Sequence, residues 1–389
     1  MSRAFIIVLD SFGIGEMPDA KRFHDEGSNT IGAVSSSEFF LTPTLQKLGL
    51  FNIDGVTASV SPISDPKAAF MRLSELSDGK DTTTGHWEMA GLVSTKPFPT
   101  YPNGFPKAII QELEEKFKRK IICNKPYSGT EVIKDYGDEH IRTGALIVYT
   151  SADSVLQIAA HEDYVPVEEL YRYCQIARDV MQGDNGVGRI IARPFVGGTG
   201  NYKRTTNRHD FSLTPPKDTM LNILKENGKD VISVGKIFDI FAGSGITKAY
   251  RTINNDDGME KTLELQQEDF DGLCFVNLVD FDMLYGHRND IDGYAKAMTS
   301  FDNYLSKFLR GMRDDDILII TADHGCDPST ESTDHSREYV PVLFYGHKVR
   351  PENLGTRAGF DYIAGTILDY FKIEDSRMTK SVLKEICDV

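Results

Sequence analysis

The sequence is poor in cysteine, with five in 389 residues. Their number is odd and no two of them form a Cys-x-x-Cys pair, which argues against a disulfide framework and against a thiolate zinc site. We therefore expect a protein of a reducing compartment, the cytoplasm. The five are Cys123, Cys174, Cys274, Cys326 and Cys387.

Positive charge and long apolar runs are also scarce. Lys and Arg number 43 against 58 Asp and Glu, a formal net charge of −15, which disfavours attraction to nucleic acid or to an anionic membrane. No apolar run reaches the roughly 20 residues that span a bilayer. Met1 to Arg3 lead into a short apolar run rather than a signal peptide. We expect neither a nucleic-acid nor a membrane partner.

Hydrophobic residues make up 40% of the chain, enough for a large core. Three short apolar runs end in acidic residues: 4–10, 273–282 and 317–325. Such runs are typical of parallel strands that helices cover on both faces, and helical patterns at 219–226 and 291–312 supply the alternation. The sequence predicts an α/β fold with a mostly parallel sheet flanked by helices. Ligands collect beyond the carboxyl ends of such strands.

The stretch from residue 98 to residue 209 differs in composition from its surroundings. It opens with the Pro-rich segment KPFPTYPNGFP, continues through a charged helical segment and closes on a Gly- and Arg-rich loop. The predicted strands with acidic ends lie on both sides of it. We therefore expect a discontinuous core, residues 1–97 and 210–389, and an inserted α/β cap domain, residues 98–209.

Six carboxylate and imidazole side chains lie near the predicted strand ends: Asp10, Asp282, His287, Asp323, His324 and His335. Six such donors suit two divalent cations, and a set without thiolate favours Mn²⁺ or Zn²⁺ without deciding between them. Two adjacent cations can hold both the attacking and the leaving oxygen of a phosphoryl transfer. Each residue alone has a structural alternative, since an Asp after a strand is commonly a turn or cap residue. Taken together, the six residues favour a metal centre.

The segment GKDTTTGHWEMAG, residues 79–91, is a polar turn that leads into a predicted helix. A hydroxyl at a helix N-terminus can contact a phosphate and act as a nucleophile beside a cation. The alternative is that Thr82, Thr83 and Thr84 only cap the helix.

The segment 189–209 carries five basic side chains and no acidic one: Arg189, Arg193, Lys203, Arg204 and Arg208. One Arg side chain can bind two oxygens of a phosphate at once, and the neighbouring glycines let the loop backbone approach the phosphate closely. A solvated basic surface is the alternative, and nucleic-acid binding is disfavoured by the few interleaved aromatic residues. Lys236 follows a predicted strand and is a further candidate phosphate contact.

Six blocks of the sequence resemble bacterial phosphopentomutases of the alkaline phosphatase superfamily. They occur in family order over almost the whole chain: FIIVLDSFGIGEMPDA, GKDTTTGHWEMAGL, VYTSADSVLQIAAHE, IARPFVGGTGNYKRTTNRHD, NLVDFDMLYGHR and ITADHGCDPSTESTDHSREYVP. The resemblance implies a metal-bearing α/β core with a substrate-binding cap. It implies a cytoplasmic isomerase that interconverts ribose 1-phosphate, or its 2-deoxy form, and the 5-phosphate.

The resemblance also implies roles for single residues. One Mn²⁺ would be held by Asp10, Asp323 and His324, and a second Mn²⁺ by Asp282, His287 and His335. Thr82 would be the phosphorylated nucleophile, a pentose 1,5-bisphosphate the intermediate, and a sugar bisphosphate such as glucose 1,6-bisphosphate the activator. The implied substrate contacts are Asp153, Arg189, Arg204 and Lys236. The chain departs from the family at Cys326, where Asn is expected, and at Ala90, where a larger residue is common.

Three other functions remain open on the sequence. A metal-dependent phosphatase or phosphodiesterase would use the same core but release the phosphoryl group to water. A phosphoglycerate mutase is disfavoured by threonine at the nucleophile position and by the different cap. A metal-storing or scaffold protein would bind Mn²⁺ without turning over a sugar phosphate.

Overall fold

A computed structural model describes residues 2–151 and 153–387. The chain forms two compact units, which we call the core unit (Met1–Lys96 with Pro215–Val389) and the cap unit (Pro97–Thr214). The substrate-binding role expected for residues 98–209 stays a prediction. No helix in the described part of the chain combines the length and the apolarity that crossing a bilayer requires.

The strands in chain order are β1 (Arg3–Leu9), β2 (Ala69–Ser74), β3 (Ile121–Pro126), β4 (Leu146–Thr150), β5 (Val155–His161), β6 (Arg189–Val196), β7 (Lys203–Arg204), β8 (His209–Ser212), β9 (Asp230–Val234), β10 (Lys248–Tyr250), β11 (Gly272–Leu278), β12 (Asp316–Thr321), β13 (Val340–Tyr345) and β14 (Asn353–Ala358).

The α-helices are α1 (Thr30–Ser35), α2 (Pro43–Leu48), α3 (Thr82–Met89), α4 (Lys107–Phe117), α5 (Glu131–Thr143), α6 (Val167–Val180), α7 (Met220–Glu226), α8 (Ile237–Ile240), α9 (Asn255–Gln267), α10 (Ile291–Arg310), α11 (Tyr362–Tyr370) and α12 (Leu383–Ile386). A π-helical turn spans Phe281–Tyr285, and short 3₁₀ turns span Ala20–Phe23, Leu50–Asn52, Gly183–Asn185 and Gly286–Arg288.

The core unit is built on an eight-stranded sheet in the order β10-β9-β11-β1-β12-β13-β2-β14. Strand β13 runs antiparallel to both of its neighbours, and the other pairs are parallel. Strands β1, β11 and β12 are buried along their whole length, as expected for apolar strands that helices cover on both faces. The predicted α/β fold with a mostly parallel sheet is confirmed.

Two side chains at the amino end of the sheet join its central strands. The guanidinium of Arg3 lies 2.7 Å from Asp316 Oδ2, and both side chains are almost fully buried. A second nitrogen of Arg3 donates a hydrogen bond to the carbonyl oxygen of Gln266 at 2.7 Å. The buried charges of β1 and β12 are thus paired and hydrogen-bonded, which a buried ion requires.

The cap unit has its own mixed sheet, in the order β3-β4-β5-β6-β7 with β8 paired to β6. Helices α4 and α6 cover one face of this sheet and α5 the other, and each face has its own apolar cluster. The charged segment that the sequence predicts to be helical is α4, which ends at Phe117 with Lys118 in the left-handed region.

Candidate active site

The three aspartates expected as metal ligands follow three neighbouring parallel strands. Asp10 comes directly after β1, Asp323 follows β12, and Asp282 lies in the π-helical turn after β11. Because β11, β1 and β12 are adjacent and parallel, their carboxyl ends meet at one edge of the sheet. All three carboxylates are buried there.

Asp10, Asp323 and His324 form the first cluster. His324 Nε2 lies 3.4 Å from Asp10 Oδ1 and 3.3 Å from Asp323 Oδ2. The backbone N–H of Ser11 donates to the other oxygen of Asp323 at 3.0 Å. Ser11 has a φ of 71°, in the left-handed region that non-glycine residues rarely adopt. The turn after β1 therefore holds one oxygen of Asp323 and leaves the other facing the cluster.

Asp282, His287 and His335 form the second cluster. One oxygen of Asp282 lies 3.3 Å from His287 Nε2, and the other lies 3.2 Å from His335 Nε2. The two Nε2 atoms are 3.2 Å from each other. His287 Nδ1 donates to the carbonyl oxygen of Thr333 at 2.6 Å, which fixes the ring and turns Nε2 toward the cluster. The structure thus brings together all six residues of the expected ligand set.

The donor atoms fit divalent cations. Asp10 Oδ1, Asp282 Oδ1 and Asp323 Oδ2 are buried oxygens without a hydrogen-bond donor. A buried carboxylate oxygen is costly unless a positive group compensates it. One atom each from Asp10, Asp323 and His324 lies within 4.8 Å of the others, and the same holds for Asp282, His324 and His335. Oxygen and imidazole donors at this spacing suit Mn²⁺ or a related ion.

The buried carboxylates of the first cluster shift the pKa values of their neighbours. Burial and the charge of Asp323 raise the pKa of Asp10. Burial lowers the pKa of His324, but the carboxylates of Asp323 and Asp10 outweigh it and raise that pKa well above its ordinary value. In the absence of a cation, the positive charge beside these carboxylates comes from a proton on His324. A bound cation can supply that positive charge instead.

Thr82 is the first residue of α3, and its hydroxyl faces the first cluster. Thr82 Oγ1 lies 3.3 Å from His324 Nε2, in a position that is 9% exposed. The capping contact is made by Asp81, which accepts from the Thr84 N–H at 3.0 Å and from the Thr84 hydroxyl at 2.5 Å. Capping therefore accounts for Thr84 and leaves the hydroxyl of Thr82 available for chemistry.

His86 links the start of α3 to the first cluster, and sequence reasoning missed it. Its Nδ1 donates to the carbonyl oxygen of Thr82 at 2.8 Å and lies 3.1 Å from Asp323 Oδ2. The amide nitrogen of Asn277 is 3.2 Å from His86 Nε2 and donates to Asp10 Oδ2 at 2.7 Å. Because Asn277 donates, Nε2 accepts. The available signal was the four-residue spacing of Thr82 and His86, which places both on one helix face.

A glycine allows α3 to approach the loop that carries Asp323. A Cβ atom at Gly85 would lie 2.2 Å from the carbonyl oxygen of Asp323. Any side chain at this position would push α3 away from the loop after β12. The sequence shows Gly85, but the need for a glycine there becomes visible only when the fold brings α3 against the loop after β12.

Arg337 holds the loop that precedes α3. Its guanidinium donates to the carbonyl oxygens of Ser77 and Gly79 at 2.9 and 2.5 Å. It also pairs with Glu75 at 2.6 Å and with Asp19 at 3.1 Å, in a position that is 3% exposed. Arg337 lies two residues after His335, so the same segment supplies a metal-ligand candidate and fixes the loop that precedes α3.

Lys236 lies at the same edge of the core sheet as the aspartates. It follows β9, the neighbour of β11, through Gly235, whose φ is 76°. A Cβ atom at Gly235 would lie 2.4 Å from the carbonyl oxygen of Asn277. The turn to Lys236 thus packs against the strand that carries Asn277 and requires glycine.

The cap unit holds the other three expected substrate contacts. Arg189 begins β6 and lies 3.9 Å from Asp153 and 3.6 Å from Asp210. Asp210 also pairs with Arg208 at 2.8 Å. Arg204 is exposed in the two-residue strand β7. Part of the basic segment is therefore neutralised by Asp210, the first residue after it, and Arg204 presents its charge at the surface.

Comparison with known proteins places the chain among metalloenzymes. It matches the model of the Metalloenzyme superfamily over residues 2–375. It is 61% identical over 386 residues to the phosphopentomutase of Lachnoclostridium phytofermentans, with 99% of each chain covered. It is 56% identical over 388 residues to the phosphopentomutase of Acetivibrio thermocellus, with 99% of this chain and all of the relative covered.

Solved structures of low identity share the fold. The PH0037 protein from Pyrococcus horikoshii has a TM-score of 0.50 and 15% identity, with 96% of this chain and 98% of that chain covered. A phosphoglycerate mutase from Leishmania mexicana has a TM-score of 0.50 and 12% identity, with coverage of 98% and 97%. At such identities the likeness concerns the fold alone.

Proposed function

The chain belongs to the phosphopentomutase family of the metalloenzyme superfamily, and we propose that it interconverts ribose 1-phosphate, or 2-deoxyribose 1-phosphate, and the 5-phosphate. It is an isomerase that moves a phosphoryl group between two oxygens of one sugar. The observation that carries the proposal is the hydroxyl of Thr82 at 3.3 Å from His324, beside the two clusters of carboxylate and imidazole side chains.

The two clusters would hold two divalent cations, which we take to be Mn²⁺. Asp10, Asp323 and His324 would ligate the first cation. The ligands of the second would be Asp282, His287 and His335. When bound, the cations supply positive charge that stabilises the oxygens of the transferring phosphoryl group. The protein residues fix the ligands, and the hydrogen bond from His287 to Thr333 is one such support.

In the first half-reaction, phosphorylated Thr82 donates its phosphoryl group to the free 5-hydroxyl of ribose 1-phosphate. The bond between Thr82 Oγ1 and phosphorus breaks as the bond to O5 forms, which gives the 1,5-bisphosphate. In the second, Thr82 Oγ1 attacks the phosphorus at position 1 and the anomeric oxygen leaves. Phosphothreonine is regenerated, and the proton lost from O5 ends on the anomeric oxygen.

The remaining expected residues would bind the end of the substrate that is not reacting. We assign the distal phosphate to Arg189, Arg204 and Lys236, because guanidinium and ammonium groups bind phosphate oxygens well. Asp153 would accept a hydrogen bond from a sugar hydroxyl. A sugar bisphosphate such as glucose 1,6-bisphosphate would phosphorylate Thr82 in enzyme that has lost its phosphoryl group. We place this chemistry in the cytoplasm.

A phosphorus-NMR assay with Mn²⁺, a trace of bisphosphate and ribose 1-phosphate tests the proposal. We expect ribose 5-phosphate in stoichiometric amount, and phosphate on Thr82 in the peptide that mass spectrometry recovers. Inorganic phosphate as the main product would instead indicate the phosphatase alternative, which the relatives' names disfavour. Unchanged ribose 1-phosphate in the presence of bound Mn²⁺ would contradict both.

A further inference from the structure

We propose that Arg337 and Glu88 form a clamp on the loop before α3, residues 75–79, and that this clamp sets the position of the Thr82 hydroxyl for phosphoryl transfer. Neither residue is among the expected metal ligands or substrate contacts, so both act through Thr82 as positioning residues. The inference rests on the proposed function, because it takes Thr82 as the nucleophile.

Arg337 bonds the loop through its carbonyl groups. Its guanidinium donates to the carbonyl oxygens of Glu75, Ser77 and Gly79 at 3.0, 2.9 and 2.5 Å. These are alternate residues of the loop, so three carbonyl groups point to one guanidinium. Arg presents its N–H donors in the fixed directions of a planar fork, whereas Lys brings a single nitrogen. The contact therefore depends on the shape of the guanidinium as well as on its charge.

Glu88 bonds the N–H groups of the same loop. Its carboxylate accepts from the N–H groups of Leu76 and Ser77 at 2.8 and 2.6 Å. Ser77 thus has its N–H bonded to Glu88 and its carbonyl oxygen bonded to Arg337. Glu88 is the second-to-last residue of α3, the helix that Thr82 begins. The clamp therefore fixes the loop and ties it to the body of the helix that carries the nucleophile.

A second set of contacts links the start of α3 to the segment that carries Arg337. The backbone N–H of Arg337 donates to Asp25 at 2.9 Å, and Lys80 donates to the two oxygens of Asp25 at 2.9 and 3.0 Å. Lys80 Nζ also lies 3.7 Å from Asp334, which directly precedes a candidate ligand of the second cluster. Thr82 is thus held relative to the metal position by contacts that lie outside the two clusters.

The charges of the clamp are buried, which is an inefficient way to stabilise a loop. Arg337 is 3% exposed, Glu75 is 5% exposed and Glu88 is fully buried. Apolar side chains of similar volume often stabilise a protein as much as buried ions or more. Hydrogen bonds to charged groups add direction, because each one fixes a partner atom in space. A displacement of 1 Å at a reacting group can cost about 100-fold in rate, so the geometry of the loop affects the rate of transfer.

The test changes the geometry of the clamp while it keeps charge or shape. Arg337→Lys keeps the positive charge without the fork, and Glu88→Gln keeps the shape but replaces one acceptor oxygen by an NH₂ donor. Arg3→Lys is the matched control, because Arg3 is another buried Arg paired with a carboxylate, at the amino end of the core sheet. Each protein is first treated with excess glucose 1,6-bisphosphate, and mass spectrometry measures the phosphate on Thr82. The conversion of ribose 1-phosphate and the affinity for Mn²⁺ are then compared.

We expect kcat to fall about 10- to 100-fold in Arg337→Lys and in Glu88→Gln, with KM for ribose 1-phosphate and Mn²⁺ affinity unchanged. Arg3→Lys should lower the temperature of unfolding and keep kcat. A purely structural role would instead lower the temperature of unfolding in all three variants without a selective loss of kcat.

The outcomes separate this inference from the proposed function. An unchanged kcat in Arg337→Lys, an equal loss in Arg3→Lys, or a Mn²⁺ affinity that falls in parallel with kcat would overturn the clamp. If Arg337→Lys does not fold, Glu88→Gln decides by the same criteria. An unaltered protein that is phosphorylated on Thr82 but makes no ribose 5-phosphate would overturn the proposed function, and the rate of that phosphorylation in the variants would still decide the role of the clamp. Absence of phosphate on Thr82 would overturn both.

Discussion

Replacement of His86 by alanine should weaken Mn²⁺ binding and slow turnover, although His86 is not one of the expected ligands. The change removes the donor to Thr82 O and the acceptor from Asn277, both of them buried. Thr82 O keeps its bond within α3, but one N–H of the buried Asn277 amide is left without an acceptor, which costs about 1–3 kcal/mol in the folded state. Loss of a group that orients metal ligands typically costs about 10- to 100-fold in metal affinity or activity.

The assay is calorimetric titration of the metal-free protein with Mn²⁺, paired with the rate of ribose 1-phosphate conversion. His86→Asn should restore part of both, because its amide can donate to Thr82 O where the imidazole Nδ1 does. His140→Ala is the matched control, since His140 is a buried imidazole of the cap unit with its own backbone partners, Ala145 and His161. It should lower the free energy of unfolding without changing Mn²⁺ affinity. Equal Mn²⁺ affinity in His86→Ala and the unaltered protein would refute the positioning role.

Three further predictions use other parts of the site and core. Thr82→Ala should abolish mutase activity and the phosphopeptide, whereas Thr83→Val should keep the phosphate on residue 82; mass spectrometry that finds it elsewhere would defeat the assignment. Arg3→Ala should lower the free energy of unfolding by about 3–5 kcal/mol because it leaves Asp316 charged and buried, and a denaturant titration measures this. Asp282 raises the pKa of His287 against the effect of burial, so protons compete with a cation for this imidazole. The affinity for Mn²⁺, measured by titration, should therefore fall as the pH falls through that pKa. An affinity that rises on acidification would contradict the ligand role of His287.

Much of the core could be predicted because its strands are buried on both faces. Continuous apolar runs indicate β1, β11 and β12 without any knowledge of their partners. Strand β14 gives no such signal: most of its residues are exposed or half-buried, it contains Gly355, and its pairing with β2 is irregular. Its place depends on an edge that exists only once the rest of the sheet has formed.

The candidate site could be predicted where residue type and strand position both pointed to it. Asp10 and Asp323 follow apolar strands, which brings carboxylates to one sheet edge. The choice between Thr82 and Thr84 was not available to physical reasoning from the sequence, because either hydroxyl can cap a helix or act as a nucleophile. The contact that distinguishes them joins residues 82 and 324, which are 242 positions apart.

The register of β1 connects stability at one end of the sheet to chemistry at the other. Arg3 is opposite Asp316 at the amino end, and the pairing continues without interruption to Val8 opposite Thr321. A slip of one residue would reverse the faces of all the β1 side chains and separate Asp10 from Asp323. It would also break the buried ion pair of Arg3 and Asp316, whose loss is far more costly than that of a surface pair. The ion pair therefore disfavours a change of register that would also move the candidate metal ligands apart.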